Sequence, residues 1–219
     1  MAVSMFDARR ALGIPRAFDA WQILVGADRA KRWFVAEVLR PALGNVVRPR
    51  VLELGSGTGA LCRYMPETWE YVGIDISESY VADARKRFSG RTFLVGDVSE
   101  PGPTGLGSRR FDAVVVFGVL HHLDDVQASR ALAGCAQLCA AEAVLLAVEP
   151  CWTGEEALPE RWMKRLDRGG HIRNAEALSQ LAENAFQERA VKLAGGKMAV
   201  PYTLGLLRCS QSLVAGVER

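Results

Sequence analysis

The stretch Val51-Leu52-Glu53-Leu54-Gly55-Ser56-Gly57-Thr58-Gly59 constrains the fold more than any other. Three apolar residues and one acid read as a buried strand. Glycines at every second position then make a tight turn, and Ala60-Leu61-Cys62-Arg63-Tyr64-Met65 predicts a helix over about 58–66. A strand that passes through such a turn into a helix aims backbone N–H groups and a helix N-terminus at a ligand. Each glycine removes a Cβ that would hold a ligand off the backbone. Two patterns fit. The dinucleotide fingerprint G-x-G-x-x-G/A, with an acid ~20 residues further on, is met by Gly55, Gly57 and Ala60 with Asp75. The pattern E/D-x-G-x-G-x-G is met in full by Glu53, Gly55, Gly57 and Gly59. The glycines alone do not choose between them.

A chain of 219 residues suits one α/β domain, and a hydrophobic content of 49% supplies its core. Net charge is +2, and the longest basic run is Arg85-Lys86-Arg87 on a predicted helix. That argues against a nucleic-acid surface, which needs a larger basic cluster. Five cysteines form no C-x-x-C pair, so they predict reduced, buried thiols in a cytoplasmic setting rather than a metal site. No leader and no membrane span are predicted, because no apolar run reaches the ~18 residues a span needs.

Further signals order the rest of the chain. Residues from Pro15 to Arg40 read as helical and aromatic, divided at Gly26. Strands follow at about 50–54, 71–74, 92–95, 113–117 and 143–149, with helices at 78–88 and 125–139 between some of them. Ser77 and Asn174 are helix caps by type. Continuous Val/Ile/Leu strands alternating with helices indicate a parallel sheet covered on both faces. Pro150 to His171 reads as irregular, and long connections of that kind are often lids. Residues 186–193 and 202–209 have no helix between them and predict an antiparallel hairpin.

Ligands of such sheets bind beyond the carboxyl ends of the strands. Those ends carry the glycine turn, Gly73-Ile74-Asp75-Ile76-Ser77, Gly96-Asp97-Val98, and Phe111-Asp112-Ala113 through His121-His122-Leu123. Together they resemble the class I S-adenosylmethionine (SAM)-dependent methyltransferase family of small-molecule type, over about residues 48–150. The resemblance implies an α/β fold: a seven-stranded Rossmann-like sheet, mostly parallel with the last strand antiparallel, and helices on both faces. It implies a helical cover at 1–47, a methyltransferase domain at 48–219, and a lid or acceptor loop at 150–172. SAM is the cofactor it implies, and no metal is expected. Glu53 with Gly55, Ser56, Gly57 and Gly59 would hold the methionine end, and Asp75 the ribose hydroxyls. Ile76 would pack on the adenine, Asp97 and Val98 would meet its amino group, and Phe117 and Gly118 would border the transferable methyl. Asp75 also reads as a helix cap and Asp97 as a turn acid. Asp97 and the His pair have no place in the dinucleotide pattern.

Methyl transfer asks an enzyme to align and dehydrate the acceptor, with a base only where the nucleophile arrives protonated. His121 and His122 are the candidate bases, and only one of two adjacent side chains is expected to face the pocket. Trp21, Trp152, His171 and Tyr202 are candidates for the acceptor side, with Arg168 and Arg173 suited to an anionic acceptor. The expected acceptor is a small molecule of secondary or cell-surface metabolism, methylated on O or N before C, by a monomer or homodimer. A SAM-binding protein without catalysis and a nicotinamide-linked oxidoreductase are the competing readings.

Overall fold

The computed structural model describes residues 19, 22–100, 105–167 and 169–212. Its strands are β1 (Arg50–Leu54), β2 (Glu70–Asp75), β3 (Thr92–Val95), β4 (Phe111–Phe117), β5 (Cys139–Trp152), β6 (Arg173–Asn174), β7 (Phe186–Ala194) and β8 (Leu204–Ser212). The helices are α1 (Ala27–Trp33), α2 (Arg40–Leu43), α3 (Glu78–Arg87), α4 (Asp125–Leu138), α5 (Leu158–Leu166) and α6 (Ala175–Gln180). A π-helical stretch, Phe34–Leu39, joins α1 to α2.

The main sheet runs β3-β2-β1-β4-β5-β8-β7, with the two-residue β6 set against β5 as an addition to the seven expected. Strands β1 to β5 pair in parallel, and β8 lies antiparallel to both β5 and β7. The chain steps outward from β1 to β3 and then returns to place β4 on the other side of β1. Strand order therefore reverses between β1 and β4, which opens a crevice at their carboxyl ends.

Strand periodicity fixes the two faces. Val51, Ala113, Val115, Leu146 and Val148 pack on Phe34, Val35 and Leu39 of the N-terminal helical segment. Leu52, Leu54, Val114, Val116 and Leu145 pack on Leu132, Cys135 and Ala136 of α4. Alternate residues of one strand thus enter opposite cores, and each buried Val or Leu contributes roughly 1.5–3 kcal/mol. All five cysteines are buried, unpaired thiols. Among the described residues no helix is long and apolar enough to cross a membrane.

Local signals act where expected. Gly26 is left-handed, at φ 77°, just ahead of α1. The side chains of Ser77 and Asn174 accept from Tyr80 N and Ala177 N and cap α3 and α6. Two expectations need correction. The helix expected over 58–66 is a single 3-10 turn, Cys62–Tyr64, after which Met65 is extended at ψ 139°. Pro66 forces this, because the residue before a proline is driven out of the helical region. The stretch from 150 to 171 is also less irregular than expected. It contains the end of β5 and all of α5, whose Pro159 sits in the first helical turn, where a missing N–H costs nothing.

Candidate functional site

The glycine turn leaves β1 at the reversal point. Gly55, Gly57 and Gly59 have φ of 70°, 53° and 75°, a region that charges other L-residues about 1–2 kcal/mol. Steric freedom is used differently from the expectation of ligand approach. A Cβ on Gly55 would stand 2.2 Å from Val119 Cγ2, and one on Gly59 2.9 Å from Phe93 Cζ. Those two glycines let protein side chains in. Ser56 N donates to Ile74 O at 2.9 Å, while its buried Oγ has no partner.

Two acids flank the turn. Asp75, ending β2, accepts from Gly57 N at 2.8 Å and from Ser77 N at 2.9 Å. It locks the turn to the neighbouring strand and is only half-buried. Burial pushes its pKa up and those two bonds pull against the rise. Each carboxylate oxygen accepts more than one bond, so both retain capacity for further donors. Glu53 is 3% exposed and accepts from the Tyr71 hydroxyl. Burial lifts its pKa to about 8, against the Tyr71 bond and the attraction of Lys31.

Lys31, on α1, is 8% exposed. Its Nζ donates to Gln22 Oε1 at 2.7 Å and lies 5.9 Å from the centre of the Phe117 ring, at the end of β4. Desolvation lowers its pKa, and Glu53 is the foremost charge holding it up. The same helical segment reaches the turn at Asp19, which accepts from Thr58 Oγ1 at 2.6 Å and pairs with Arg87 at 2.6 Å.

A second cluster sits beyond β4. Glu149, at the end of β5, is 2% exposed. It accepts from Val119 N and Leu120 N at 2.9 Å, from His121 N at 3.2 Å, and contacts His121 Nδ1 at 2.7 Å. His121 Nε2 lies 3.4 Å from Asp167 Oδ1. The Tyr202 hydroxyl donates to Asp167 Oδ2 at 2.6 Å. Burial disfavours the imidazolium, but hydrogen bonds to Asp167 and Glu149 outweigh it and raise the pKa to about 9. Asp167 is held well below the usual carboxylate range, the His121 and Tyr202 bonds overcoming its desolvation. His121 is thus a clamped cation at neutral pH, while His122 is exposed beside it.

The other candidates divide by place. Phe117 and Gly118 border the crevice, and Gly118 N donates to Val148 O at 2.8 Å. Ile76, 67% exposed, stands beyond Asp75 with its apolar face uncovered. Asp97 is exposed and accepts from Ser99 N and Ser99 Oγ, beside the half-buried Val98. Trp152 lies under the Lys164 ammonium, 5.1 Å from its ring centre, in a buried group with Glu156 and Glu160. His171 is exposed and donates its N–H to His121 O at 3.0 Å. Trp21 and Arg168 lie outside the described residues. Arg173 is not free for an anionic acceptor: its guanidinium serves Leu120 O, Leu123 O and His171 O and pairs with Asp125 at 2.7 Å.

Sequence reasoning assigned no role to Glu149, Asp167 or Lys31. Glu149 had a readable signal, an acid that follows the apolar run Ala143 to Val148, as Glu53 follows Val51 and Leu52 in β1. Asp167 and Lys31 had none, since both come from other parts of the chain.

Comparison with known proteins agrees with this geometry. Residues 52–145 match a family model described as a methyltransferase domain. A non-reducing polyketide synthase of Macrophomina phaseolina (strain MS6) is 36% identical over 110 residues, which is 43% of this chain and 5% of that one. The CurJ carbon methyltransferase superposes with a TM-score of 0.63 at 21% identity, covering 82% of this chain and 54% of its own. Human N-acetylserotonin methyltransferase, solved in complex with SAM, gives 0.61 at 20% identity, covering 83% and 52%. The chain therefore spans a small fraction of the synthase and about half of either structure. A methyltransferase-domain match over residues 52–145 and the shared sheet topology make this chain similar in fold to the class I, Rossmann-like SAM-dependent methyltransferases.

Proposed function

We propose that the chain binds SAM and transfers its methyl group to a small-molecule acceptor. The observation that carries this reading is the convergence of Glu53, the left-handed glycine turn and Asp75 on the reversal point of the sheet. The residues fit such a cofactor. Asp75 keeps acceptor capacity for ribose hydroxyls, Ser56 Oγ is a buried polar atom awaiting a partner, and Glu53 is a carboxyl that a ligand cation would ionise. Ile76 would lie on the adenine, with Asp97 and Val98 beside its amino group, and Phe117 and Gly118 would border the methionine part. When bound, SAM supplies a methyl group already activated on a sulfonium. The protein's task is alignment and exclusion of water.

His121 takes the part of proton acceptor through Nε2 only once it has lost its own proton, toward pH 9, and Nε2 has left Asp167, with Glu149 fixing the ring at Nδ1. Such a group suits an acceptor that arrives with a proton to lose, which favours a hydroxyl over an amine. An activated carbon acid is the second reading, favoured by the likeness to a polyketide synthase and to a carbon methyltransferase. Residues 1–47 would cover the cofactor side and 150–172 the acceptor side. Reduced thiols suit a cytoplasmic location.

Calorimetry tests the cofactor assignment. S-adenosylhomocysteine should bind the wild type, NAD should not, and Asp75→Ala should weaken the former at least tenfold. Unchanged affinity in that variant removes the site assignment, and binding of NAD in its place restores the oxidoreductase reading. Methylation of any hydroxyl acceptor excludes a purely regulatory SAM-binding role.

A further inference from the structure

Helix α5 has its charges inside and its apolar stripe outside. On the inward arc, the Lys164 side chain is fully buried; its ammonium pairs with Glu156 at 3.2 Å and Glu160 at 2.8 Å and donates to Cys151 O at 2.5 Å. Glu160 also accepts from Thr203 N at 2.6 Å. These bonds fasten α5 to β5 and to the segment before β8, and they fix which arc faces the protein. The outward arc carries Leu158, Trp162 and Leu166, exposed to 78%, 65% and 59%. A spacing of four residues stacks them in one stripe along the helix. A helix of a globular protein ordinarily turns such a stripe inward. Left outward in a contiguous row, it marks an interaction surface.

Charge says what the stripe meets. Arg161 and Arg165 lie together along one side of it. Both are exposed, and neither guanidinium has an ion pair or hydrogen bond among the described residues. Three apolar side chains fall well short of the ~20–30 residues that a stable protein partner covers on each side. A bilayer surface asks for less: Trp and Leu entering the headgroup boundary, with Arg side chains beside them for anionic headgroups. We propose that α5 seats the chain on a negatively charged lipid surface, the stripe dipping into the boundary and the two arginines meeting lipid phosphates. Asp167 follows α5 directly and meets His121 and Tyr202, so the seated face adjoins the histidine cluster. The docking goes beyond the SAM reading and does not depend on it.

Co-sedimentation of the full chain with vesicles tests this. Phosphatidylcholine vesicles that contain phosphatidylglycerol should bind the wild type, and vesicles of phosphatidylcholine alone at least about tenfold more weakly. Added salt should release the protein, since exposed charges are screened beyond ~10 Å at 0.1 M. Trp162→Ser should lower affinity for the anionic vesicles roughly tenfold. Arg161→Gln with Arg165→Gln should bring the two vesicle types within about twofold. Thermal melts should not change in either variant, because the replaced side chains all face solvent. A wild type that ignores anionic vesicles, or variants that bind them as the wild type does, overturns the proposal. So does a concentration-dependent dimer that Trp162→Ser abolishes in place of vesicle binding, which would make the stripe a face between two copies of the chain.

Discussion

Glu149 holds His121 twice, accepting its backbone N–H at 3.2 Å and meeting ring Nδ1 at 2.7 Å, while also taking the N–H groups of Val119 and Leu120. One buried carboxylate therefore builds the turn after β4 and sets the ring that the turn presents. Truncation to Ala leaves those donors buried without an acceptor, at ~1–3 kcal/mol for each unsatisfied group. Glu149→Ala should lose at least about 3 kcal/mol in denaturant unfolding. Glu149→Gln should be milder and should lower the His121 pKa in an NMR titration.

The raised pKa of His121 makes stability depend on pH with a defined sign. The folded value is about 9 against an ordinary 6.5. The proton is held more tightly in the folded state, so its contribution is full below pH 6.5 and disappears as pH climbs to about 9. Thermal melts across that window should fall by more in the wild type than in His121→Gln, by on the order of 2 kcal/mol. If His121 is the base, methylation of a hydroxyl acceptor should speed up over the same window. Asp167→Asn should move the rise to lower pH.

Glu53 titrates in a second window. Its folded pKa of about 8 stands above the ordinary 4.5, so the cofactor-free protein loses stability from this group as pH rises between them. A bound ammonium reverses the preference, because it favours the carboxylate. Affinity for S-adenosylhomocysteine should therefore increase with pH up to about 8 and then flatten. Calorimetry from pH 6 upward should show the slope in the wild type and a flat profile in Glu53→Gln.

Gly169, in the 167–171 segment, packs against His121 between the contacts that Asp167 and His171 make with it. A Cβ there would stand 1.9 Å from His121 Cδ2 and 2.6 Å from its carbonyl oxygen. Gly169→Ala must push the segment away, because Glu149 fixes the ring. Overpacking of this kind costs roughly 1–3 kcal/mol. The His121 pKa should drop as Asp167 withdraws, and an NMR titration unchanged from wild type would contradict the contact.

Arg173 stabilises the turn rather than recognising an anion. Arg173→Met removes donors to Leu120 O and Leu123 O and the Asp125 pair. It should cost about 2–4 kcal/mol in unfolding experiments, and change S-adenosylhomocysteine affinity by less than about threefold.

The sheet was legible because its central strands β1, β4 and β5 are buried on both faces, and Val114-Val115-Val116 permits few alternatives once helices flank it. Cap residues and the β7–β8 hairpin were legible for local reasons: Asn174 carries its own acceptor, and no helix fits between 194 and 204. What stayed hidden was assembled across the chain. Glu149 meets His121 over 28 residues, and Tyr202 meets Asp167 over 35. The glycine spacing announced a turn but not its neighbours. Only the fold shows that Gly55 clears Val119 and Gly59 clears Phe93. Pro66 was present to be read, and its effect on Met65 outweighed the apolar pattern of 60–65.

That shortened turn has a bearing on ligand choice. A pyrophosphate draws much of its hold from the aligned peptide dipoles of a long helix pointing at it. Cys62–Tyr64 is one turn and supplies almost none of that positive potential. A nucleotide anion arriving at this crevice would find a weak electrostatic anchor and, in Glu53, a buried carboxyl that its charge would keep protonated. A nucleoside that carries its charge as a cation gives up nothing by the missing helix and is drawn to the same acid.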